Sequence, residues 1–247
     1  GSRQKEIFWA AALVSCQTRQ GHVCLDLCHK AQTKINLGGE EFTLPVLEDW
    51  VQNLRQLCVT GFPGDNRPLI LDQKYRLYLH RYWEHESILA RKIRELAASK
   101  ASVPDQDLLS QSLKYYFPNP QGLDPDWQKI AASTALNNCF CVISGGPGTG
   151  KTTTVAKILA LFLEQNPELR IALAAPTGKA AARLEEAIQK SLSMFDNRIK
   201  ELMPHKASTI HRLLGAKRNT PEFYHTEDNP LNMDLIVVDE ASMIDLP

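Results

Sequence analysis

The stretch that decides the fold is Gly145-Gly146-Pro147-Gly148-Thr149-Gly150-Lys151-Thr152, which matches the pattern G-x-x-x-x-G-K-[ST]. Residues 139–144 before it are apolar and rich in β-forming side chains, and residues 153–163 after it carry apolar side chains at helical spacing. A strand, a glycine loop and a helix in this order are the context in which the pattern binds phosphate. The sequence therefore predicts a nucleoside triphosphate site, and this context disfavours a glycine turn with a chance lysine.

The chemistry of the loop follows from its residue types. Glycines let successive backbone N–H groups converge on phosphate oxygens, and the positive end of the following helix adds to the attraction. Lys151 is expected to reach the β- and γ-phosphates, and the Thr152 hydroxyl is expected to ligate Mg²⁺. The expected nucleotide-binding residues of the loop are Gly145, Gly146, Pro147, Gly148, Thr149, Gly150, Lys151, Thr152 and Thr153.

A second part of the site is predicted about 90 residues later. Four apolar residues at positions 235–238 precede Asp239 and Glu240, which describes a buried central strand that emerges at its carboxyl end. Open α/β sheets place ligands at that edge. Asp239 is expected to hold Mg²⁺ together with Thr152, and Glu240 to orient or polarise the attacking water. Lys151, Asp239 and Glu240 are therefore the candidate catalytic residues.

The helix before the loop is expected to begin with Asp124 as its N-cap and Pro125 at its first position, and to run to about Leu136. Gln128 on this helix is a candidate reader of an adenine edge, because an amide donates and accepts hydrogen bonds at once. After the loop helix, residues 170–175 are typical of a buried parallel strand. A turn at 176–179 leads into a further helix that ends near residue 195.

The remaining segments are less informative. Residues 208–215 predict a short capped helix closed by glycine, and residues 219–232 predict a mobile loop. In the first hundred residues the pattern predicts helices over 4–14, 48–57 and 81–98, a strand over 22–27 and a hairpin over 69–79. The aromatic and basic side chains of 75–83 favour a hairpin with aromatics in the core over a base-stacking platform. We interpret this region as an interaction or accessory domain, since no catalytic constellation occurs in it.

Bulk properties of the 247-residue chain are those of an ordinary globular protein, with 43% hydrophobic and 23% charged residues and a net charge of zero. Between Gly145 and Arg218, twelve basic residues face six acidic ones, an excess that suits phosphate-bearing partners or a solvated helix face. No apolar run approaches the roughly 20 residues of a membrane span. The spacing of Cys24, Cys28 and His29 lacks a second ligand pair, so reduced cytosolic thiols are favoured over zinc or disulfides.

Four stretches of this chain together resemble the superfamily-one DNA helicases, and more closely the RecD family of exonuclease V (RecBCD) alpha subunits. They are residues 142–154 around the loop, Ala174-Ala175-Pro176-Thr177-Gly178-Lys179-Ala180-Ala181-Ala182-Arg183-Leu184, Ser208-Thr209-Ile210-His211-Arg212-Leu213-Leu214-Gly215 and Val237-Val238-Asp239-Glu240-Ala241-Ser242-Met243-Ile244-Asp245. The loop alone is shared by many ATPases, whereas the conjunction is much more specific. The resemblance is dense over 124–247 and thinner before it, where residues 21–25 and 76–79 carry it.

The resemblance implies a RecA-like P-loop NTPase domain with a parallel sheet flanked by helices, preceded by a small, mainly helical α+β domain. It divides the chain into an accessory domain (1–106), a linker (107–123) and the first ATPase domain (124–247). It also implies ATP and Mg²⁺ as cofactors, with Gln128 in the adenine-reading motif. The implied activity is 5′-to-3′ translocation on single-stranded DNA and unwinding of double-stranded DNA, in break repair and recombination. The implied partners are RecB and RecC. The implied DNA-binding residues are Thr177, Gly178, Lys179, Arg183, Thr209 and His211; the residues at 177–179 also suit backbone phosphates on physical grounds.

Two other interpretations stay open. One is a P-loop protein whose main role is assembly, with nucleotide as a structural ligand. The other is a P-loop kinase, which the Ala-Pro-Thr-Gly-Lys motif and the lack of a lid-like arginine cluster disfavour. The chain stops seven residues after Glu240, before the second RecA-like domain and the arginine fingers of the implied family. We therefore expect these 247 residues alone to bind ATP weakly, to hydrolyse it barely and not to unwind DNA; robust DNA-stimulated turnover would contradict this.

Overall fold

The structure is a computed structural model that describes residues 2–37, 40–101, 104–118, 125–146 and 148–246. The predicted loop residue Pro147, the predicted N-cap Asp124 and the last part of the predicted linker, 119–123, lie outside this part of the chain. The chain divides into two units, residues 1–92 with 245–247, and residues 93–244. Each unit has its own hydrophobic core.

The first unit is an α+β domain. Its helices are α1 (Ser2–Arg19), α2 (Leu27–Lys30), α3 (Leu47–Arg55) and the first part of α4 (His80–Ala98). Its strands are β1 (Leu25–Asp26), β2 (Lys34–Leu37), β3 (Glu40–Thr43), β4 (Thr60–Gly61), β5 (Leu69–Leu71) and β6 (Arg76–Leu79). One sheet has the order β1-β6-β5-β4, and β2 pairs with β3 separately. The predicted strand over 22–27 is thus reduced to two residues.

The core of the first unit forms between α1, α3 and the four-stranded sheet. Trp50 and Leu54 of α3 are buried there with Leu69, Leu71 and Leu77 of the predicted hairpin. This hairpin is confirmed, because β5 and β6 pair antiparallel. Tyr78 is 1% exposed, which supports packing of this aromatic in the core rather than base stacking.

The second unit contains the glycine loop. Its helices are the end of α4, α5 (Gln106–Tyr116), α6 (Trp127–Asn137), α7 (Lys151–Gln165), α8 (Gly178–Ser191), α9 (Asn197–Leu202) and α10 (Ile210–Leu214). Its strands are β7 (Ile171–Ala175), β8 (Ala207–Thr209) and β9 (Leu235–Val238), and short 3₁₀ turns occupy Leu192–Met194 and Ala241–Met243. No helix in the described ranges is long and apolar enough to cross a membrane.

Strand β7 is the centre of a parallel sheet with the order β8-β7-β9. Residues 172–175 are all buried, so both faces of β7 are covered, as the continuous apolar run predicts. Helices α5, α6, α7 and α9 share one core with Leu173, while Ala180 and Ala181 of α8 pack with Ala175. The predicted parallel sheet flanked by helices is therefore confirmed.

Two strand predictions are wrong in detail. Residues 139–144 form no strand, because no described strand lies beside them to complete a hydrogen-bonded ladder. Cys141 and Ile143 nevertheless pack on the core, whereas Cys139 is exposed and Val142 is 73% exposed. Strand β9 was predicted to be central and buried, but among the described strands it lies at the sheet edge, and Val238 is 40% exposed.

Helix α5 lies where the sequence predicted the linker 107–123. Its residues Leu109 and Leu113 belong to the core of the second unit. The amide of Gln165 at the end of α7 accepts from the backbone N–H of Asp105 over 2.9 Å and donates to its carbonyl over 3.2 Å. Tyr116 donates to Glu164 over 2.7 Å. These contacts make α5 part of the second unit, so the expected linker starts too early.

We predict that Leu109→Ala destabilises the second unit by about 2–5 kcal/mol, because it deletes a buried side chain and leaves a cavity. Denaturant unfolding followed by circular dichroism measures the change. Tyr115→Ala is the matched control on the same helix, since Tyr115 is 70% exposed. Equal stability of the two variants would show that α5 is a linker after all.

Arg170 and Asp234 join the amino ends of β7 and β9. The guanidinium donates through Nε and Nη2 to both carboxylate oxygens over 2.8 and 2.7 Å, and the backbone N–H of Arg170 donates to the same carboxylate over 2.9 Å. These hydrogen bonds from Arg170 hold the pKa of Asp234 below its usual value. Because Ile171 pairs with Leu235 directly beyond this clamp, the clamp fixes the register of the two strands.

We predict that the Arg170–Asp234 clamp makes stability depend on pH. A carboxyl whose pKa is lowered by folding stabilises the protein above its unfolded pKa of about 4, and this contribution is lost as pH falls toward the folded pKa. Asp234→Asn removes the charge, so the difference in free energy of unfolding between wild type and variant should narrow as pH falls from about 5 to about 2. Urea unfolding at each pH measures it.

Glu186→Gln is the control for this experiment. Its ion pair with Lys190, 2.9 Å long, lies within α8 and joins no two elements. A similar narrowing in Glu186→Gln would contradict a special role of the Asp234 clamp.

Candidate functional site

The glycine loop reaches α7 through backbone conformations that glycine adopts easily. Gly148 and Gly150 have φ of +76° and +77°, in the left-handed region that costs other residues about 1–2 kcal/mol. Gly150 is the N-cap of α7, and no side chain caps this helix. The first-turn N–H groups of α7 therefore lack a side-chain acceptor, which is the arrangement that binds phosphate at a helix N-terminus.

The side chain of Lys151 lies across the loop. Its Nζ donates to the carbonyl oxygens of Gly145 and Gly146 over 2.7 and 2.8 Å. The Thr149 hydroxyl donates to the Gly146 carbonyl over 2.9 Å. An ammonium has three donors, so one remains for a ligand while two hold the loop closed. A Cβ at Gly145 would lie 2.9 Å from Thr149 Oγ1, so this position also requires glycine.

Gln128 contacts the loop directly. Its Nε2 donates to the Thr149 carbonyl over 3.3 Å, and a Cβ at Gly150 would lie 3.2 Å from the same nitrogen. The predicted helix start at Asp124 and Pro125 is wrong: α6 begins at Trp127, and Asp126 is the N-cap that accepts from the N–H groups of Gln128 and Lys129. Asp126 supplies the side-chain acceptor that the first turn needs.

Asp239 and Glu240 lie at the carboxyl end of β9. The backbone N–H of Asp239 donates to the Ala174 carbonyl over 2.9 Å, and Asp239 Oδ1 accepts from the Glu240 N–H over 2.9 Å. Glu240 has φ of +50°, and a strained backbone of this kind clusters at functional sites. In the described part of the chain, no hydrogen bond or ion pair links either carboxylate to Lys151 or Thr152.

The predicted DNA-binding threonines share one structural role. Thr177 follows β7 and is the N-cap of α8, where its hydroxyl accepts from the Ala180 N–H over 3.2 Å. Thr209 ends β8 and is the N-cap of α10, where its hydroxyl accepts from the Arg212 N–H over 3.2 Å. Ala175 pairs with Thr209 in the parallel sheet, so both caps lie at the carboxyl edge of the strands. Asp239 follows β9 at that same edge.

The other predicted DNA-binding residues are arranged around these caps. Gly178 is the first residue of α8, and Lys179 and Arg183 are exposed on that helix. His211 is exposed on α10, with its ring 5.8 Å from the ring of Phe223.

The segment that places Phe223 beside His211 was not predicted from the sequence. Residues 219–232 were predicted to be a mobile loop, but Ala216 forms a bridge with Phe223 and the Lys217 N–H donates to the Glu222 carbonyl over 3.0 Å. Asn219, with φ of +60°, makes the reversal, and asparagine after a basic pair was the available turn signal. The segment is a short hairpin that packs against α10.

Among the described residues, no group of three histidine, cysteine or acidic side chains is close enough to hold a metal ion, and the six cysteines are free thiols.

Family models match both halves of the chain. One described as RecBCD enzyme subunit RecD, N-terminal domain, matches residues 1–78, and one described as AAA domain matches residues 128–247. The RecBCD enzyme subunit RecD of Haemophilus influenzae is 40% identical over 83% of this chain, and that of Mycobacterium tuberculosis is 39% identical over 100% of it. The chain belongs to the RecD family.

This RecD-family chain spans 33% of the Haemophilus protein and 41% of the Mycobacterium protein. The ATP-dependent RecD2 DNA helicase of Deinococcus radiodurans is 33% identical over 68% of the chain, which spans 20% of that protein. These matches and the parallel sheet confirm the predicted fold class, a P-loop NTPase domain preceded by an N-terminal domain of the RecD type.

We predict that Gly150→Ala weakens nucleotide binding by about tenfold or more, because alanine at this φ costs about 1–2 kcal/mol and its Cβ would press on Gln128. Titration with a fluorescent ATP analogue measures the change. Gly178→Ala is the control, since a Cβ there meets nothing within 4 Å. Equal affinities for the two variants would contradict this account of the loop.

Proposed function

We propose that this chain is the ATP-binding part of an ATP-dependent 5′-to-3′ DNA helicase subunit, which acts with RecB and RecC in double-strand break repair and recombination. The observation that carries the proposal is the glycine loop with Lys151 across it, in one domain with two threonine-capped helix starts at the carboxyl edge of the sheet. The names of the relatives, RecBCD enzyme subunit RecD and ATP-dependent RecD2 DNA helicase, support the choice of substrate and partners.

In the nucleotide site, the Lys151 ammonium reaches the β- and γ-phosphate oxygens with the donor that the two loop carbonyls leave unused. The two hydrogen bonds to the loop hold the lysine in place before the nucleotide binds, so the lysine is preorganised near its bound position at little cost in side-chain entropy. The first-turn N–H groups of α7, including those of Thr152 and Thr153, receive the remaining phosphate oxygens. Gln128 joins the loop to α6, so nucleotide binding and the position of α6 are coupled.

Thr152 and Asp239 are the residues that would hold Mg²⁺. They fit the ion, since a hydroxyl and a carboxylate are the hard oxygen ligands that it prefers, and the Thr152 hydroxyl makes no hydrogen bond in the described part of the chain. The ion, when bound, neutralises charge on the transferred phosphoryl group. Glu240 orients the attacking water and accepts its proton, and its backbone is in the left-handed region directly after the strand end.

The DNA strand is proposed to follow the sheet edge past the two capping threonines. A hydroxyl has one donor and two acceptor lone pairs. Capping uses a lone pair of Thr177 and of Thr209, so each O–H remains available for a phosphate oxygen. Lys179 and Arg183 add charge next to the first cap, as backbone-positioning contacts do.

The proposal assigns a different role to each of the two domains. The N-terminal domain docks on partner subunits, and residues from α5 onward form the motor domain. The six free cysteines suit a reducing compartment, and we place the protein in the cytoplasm on that ground. The alternative function is assembly, in which the N-terminal domain docks and nucleotide serves the fold alone.

We predict that a labelled single-stranded oligonucleotide binds this chain in a salt-sensitive manner. Lys179→Ala should weaken binding on the order of tenfold at 0.1 M salt and lower the salt slope by about 1, since it removes one phosphate contact. Thr177→Asp keeps an N-cap as good as threonine but places a negative charge at the phosphate site, so it should weaken binding without unfolding α8. Fluorescence anisotropy measures both.

Lys190→Ala is the matched control, because it removes the same charge from α8 at a residue already paired with Glu186. If Lys190→Ala weakens oligonucleotide binding as much as Lys179→Ala does, the effect comes from the net charge of the protein and not from a specific contact of Lys179. If the oligonucleotide does not bind at any salt concentration, the DNA function is contradicted and assembly is favoured.

A further inference from the structure

The most exposed tryptophan of the described residues stands beside the nucleotide loop. Trp127 is 71% exposed at the first position of α6, although tryptophan is highly buried on average. Trp50 in the first unit is completely buried, and Trp9 and Trp83 are half-buried. A large apolar ring in water next to a predicted ligand site requires an explanation.

The position of Trp127 is fixed by its neighbours. Asp126 caps α6 by accepting from the N–H groups of Gln128 and Lys129, both over 3.1 Å, so the first turn is held in place. The next residue, Gln128, touches the loop at Thr149. Trp127 is therefore anchored one residue away from a direct contact with the glycine loop.

Recognition of a base needs two approaches at right angles, one to the edge of the ring and one to its face. Successive residues of an α-helix project about 100° apart, since 3.6 residues complete a turn. A helix that presents an amide and then an aromatic ring at adjacent positions supplies both approaches. Trp127 and Gln128 are such a pair at the start of α6.

The amide of Gln128 keeps the groups that this recognition requires. One N–H is donated to the Thr149 carbonyl, which leaves the second N–H and the carbonyl oxygen. These match the N7 acceptor and the N6 donor of adenine, the pair that glutamine reads in nucleic acids. An adenine read in this way would have its edge against Gln128, and Trp127 is the adjacent residue that could cover its face.

We propose that Trp127 is the stacking platform for the adenine ring of the nucleotide, and that it sets the preference for ATP over the bare triphosphate. The inference rests on the proposed nucleotide function of the loop. Base–aromatic stacking strengthens binding by a factor of about 5 to 150 where it has been tested by alanine substitution. Trp127 thus contributes affinity for the base, while Lys151 and α7 contribute affinity for the phosphates.

A competing explanation for the exposure of Trp127 is that this face of α6 is an apolar docking surface, because a second apolar residue is exposed one turn further along the helix. Ile130 is 45% exposed and lies three positions after Trp127, on the same face of the helix. If this face were an apolar docking surface, both side chains would matter equally, and neither would affect nucleotide binding.

The experiment titrates the 247-residue chain and its variants Trp127→Ala, Trp127→Phe and Ile130→Ala with Mg-ATP and, separately, with inorganic tripolyphosphate. Isothermal titration calorimetry gives the affinities, and tryptophan emission is recorded in parallel. Circular dichroism checks that the folds are equal, as expected for an exposed residue. We expect Trp127→Ala to bind ATP about tenfold more weakly, Trp127→Phe to restore most of the affinity, and Ile130→Ala to match wild type.

Tripolyphosphate should bind all four proteins equally, because it has no base. ATP, but not tripolyphosphate, should change the emission of wild type, and Trp127→Phe should lose that change. Equal ATP affinity of Trp127→Ala and wild type, or a parallel loss of tripolyphosphate affinity, would overturn the stacking role while leaving the nucleotide site intact. Failure of wild type to bind either ligand would overturn the nucleotide function itself, and with it the role of Trp127.

Discussion

The second unit depends on one electrostatic constraint: the polar backbone groups of the glycine loop are crowded together in front of the N-terminus of α7. This crowding requires a sharp turn of the chain, and the left-handed conformations of Gly148 and Gly150 make that turn. Two inward carbonyls accept from Lys151, so the charge of the lysine offsets the partial negative charge that the turn creates. In the proposed function the same lysine also contacts the phosphates, so the closed loop is preorganised for that role.

The parallel sheet supplies the second constraint. Parallel strands have their carboxyl ends at one edge of the sheet. The segments that follow these strands therefore lie near one another at that edge, although they are far apart in sequence. Thr177, Thr209 and Asp239 follow or end β7, β8 and β9 in this way. At the opposite edge, the clamp between Arg170 and Asp234 fixes the register. The clamp and the proposed functional edge thus lie at opposite ends of the same strands.

Local sequence patterns predicted the elements that are decided by short-range physics. The loop, α7, the short capped helix closed by Gly215 and the hairpin of the first unit follow from glycine conformations, helix capping and alternation, each of which acts within a few residues. The two strand predictions that failed have a common cause, since each depends on a partner strand distant in sequence. Residues 139–144 have the composition of a strand but no described ladder partner, and β9 has the apolar run of a buried strand but lies at an edge.

The sequence by itself determined the identity of the nucleotide loop, the acidic strand end and the family, because each is a dense local pattern with its own chemistry. Only the tertiary structure decided that α5 belongs to the second unit, that Gln128 contacts Thr149 and that the hairpin at 216–223 packs against α10. The exposure of Trp127 beside the loop is of the same kind. The burial of a residue and its contacts depend on how the whole core is assembled. The type of a residue determines only which interactions its side chain is able to make, not which partners it meets in the folded chain.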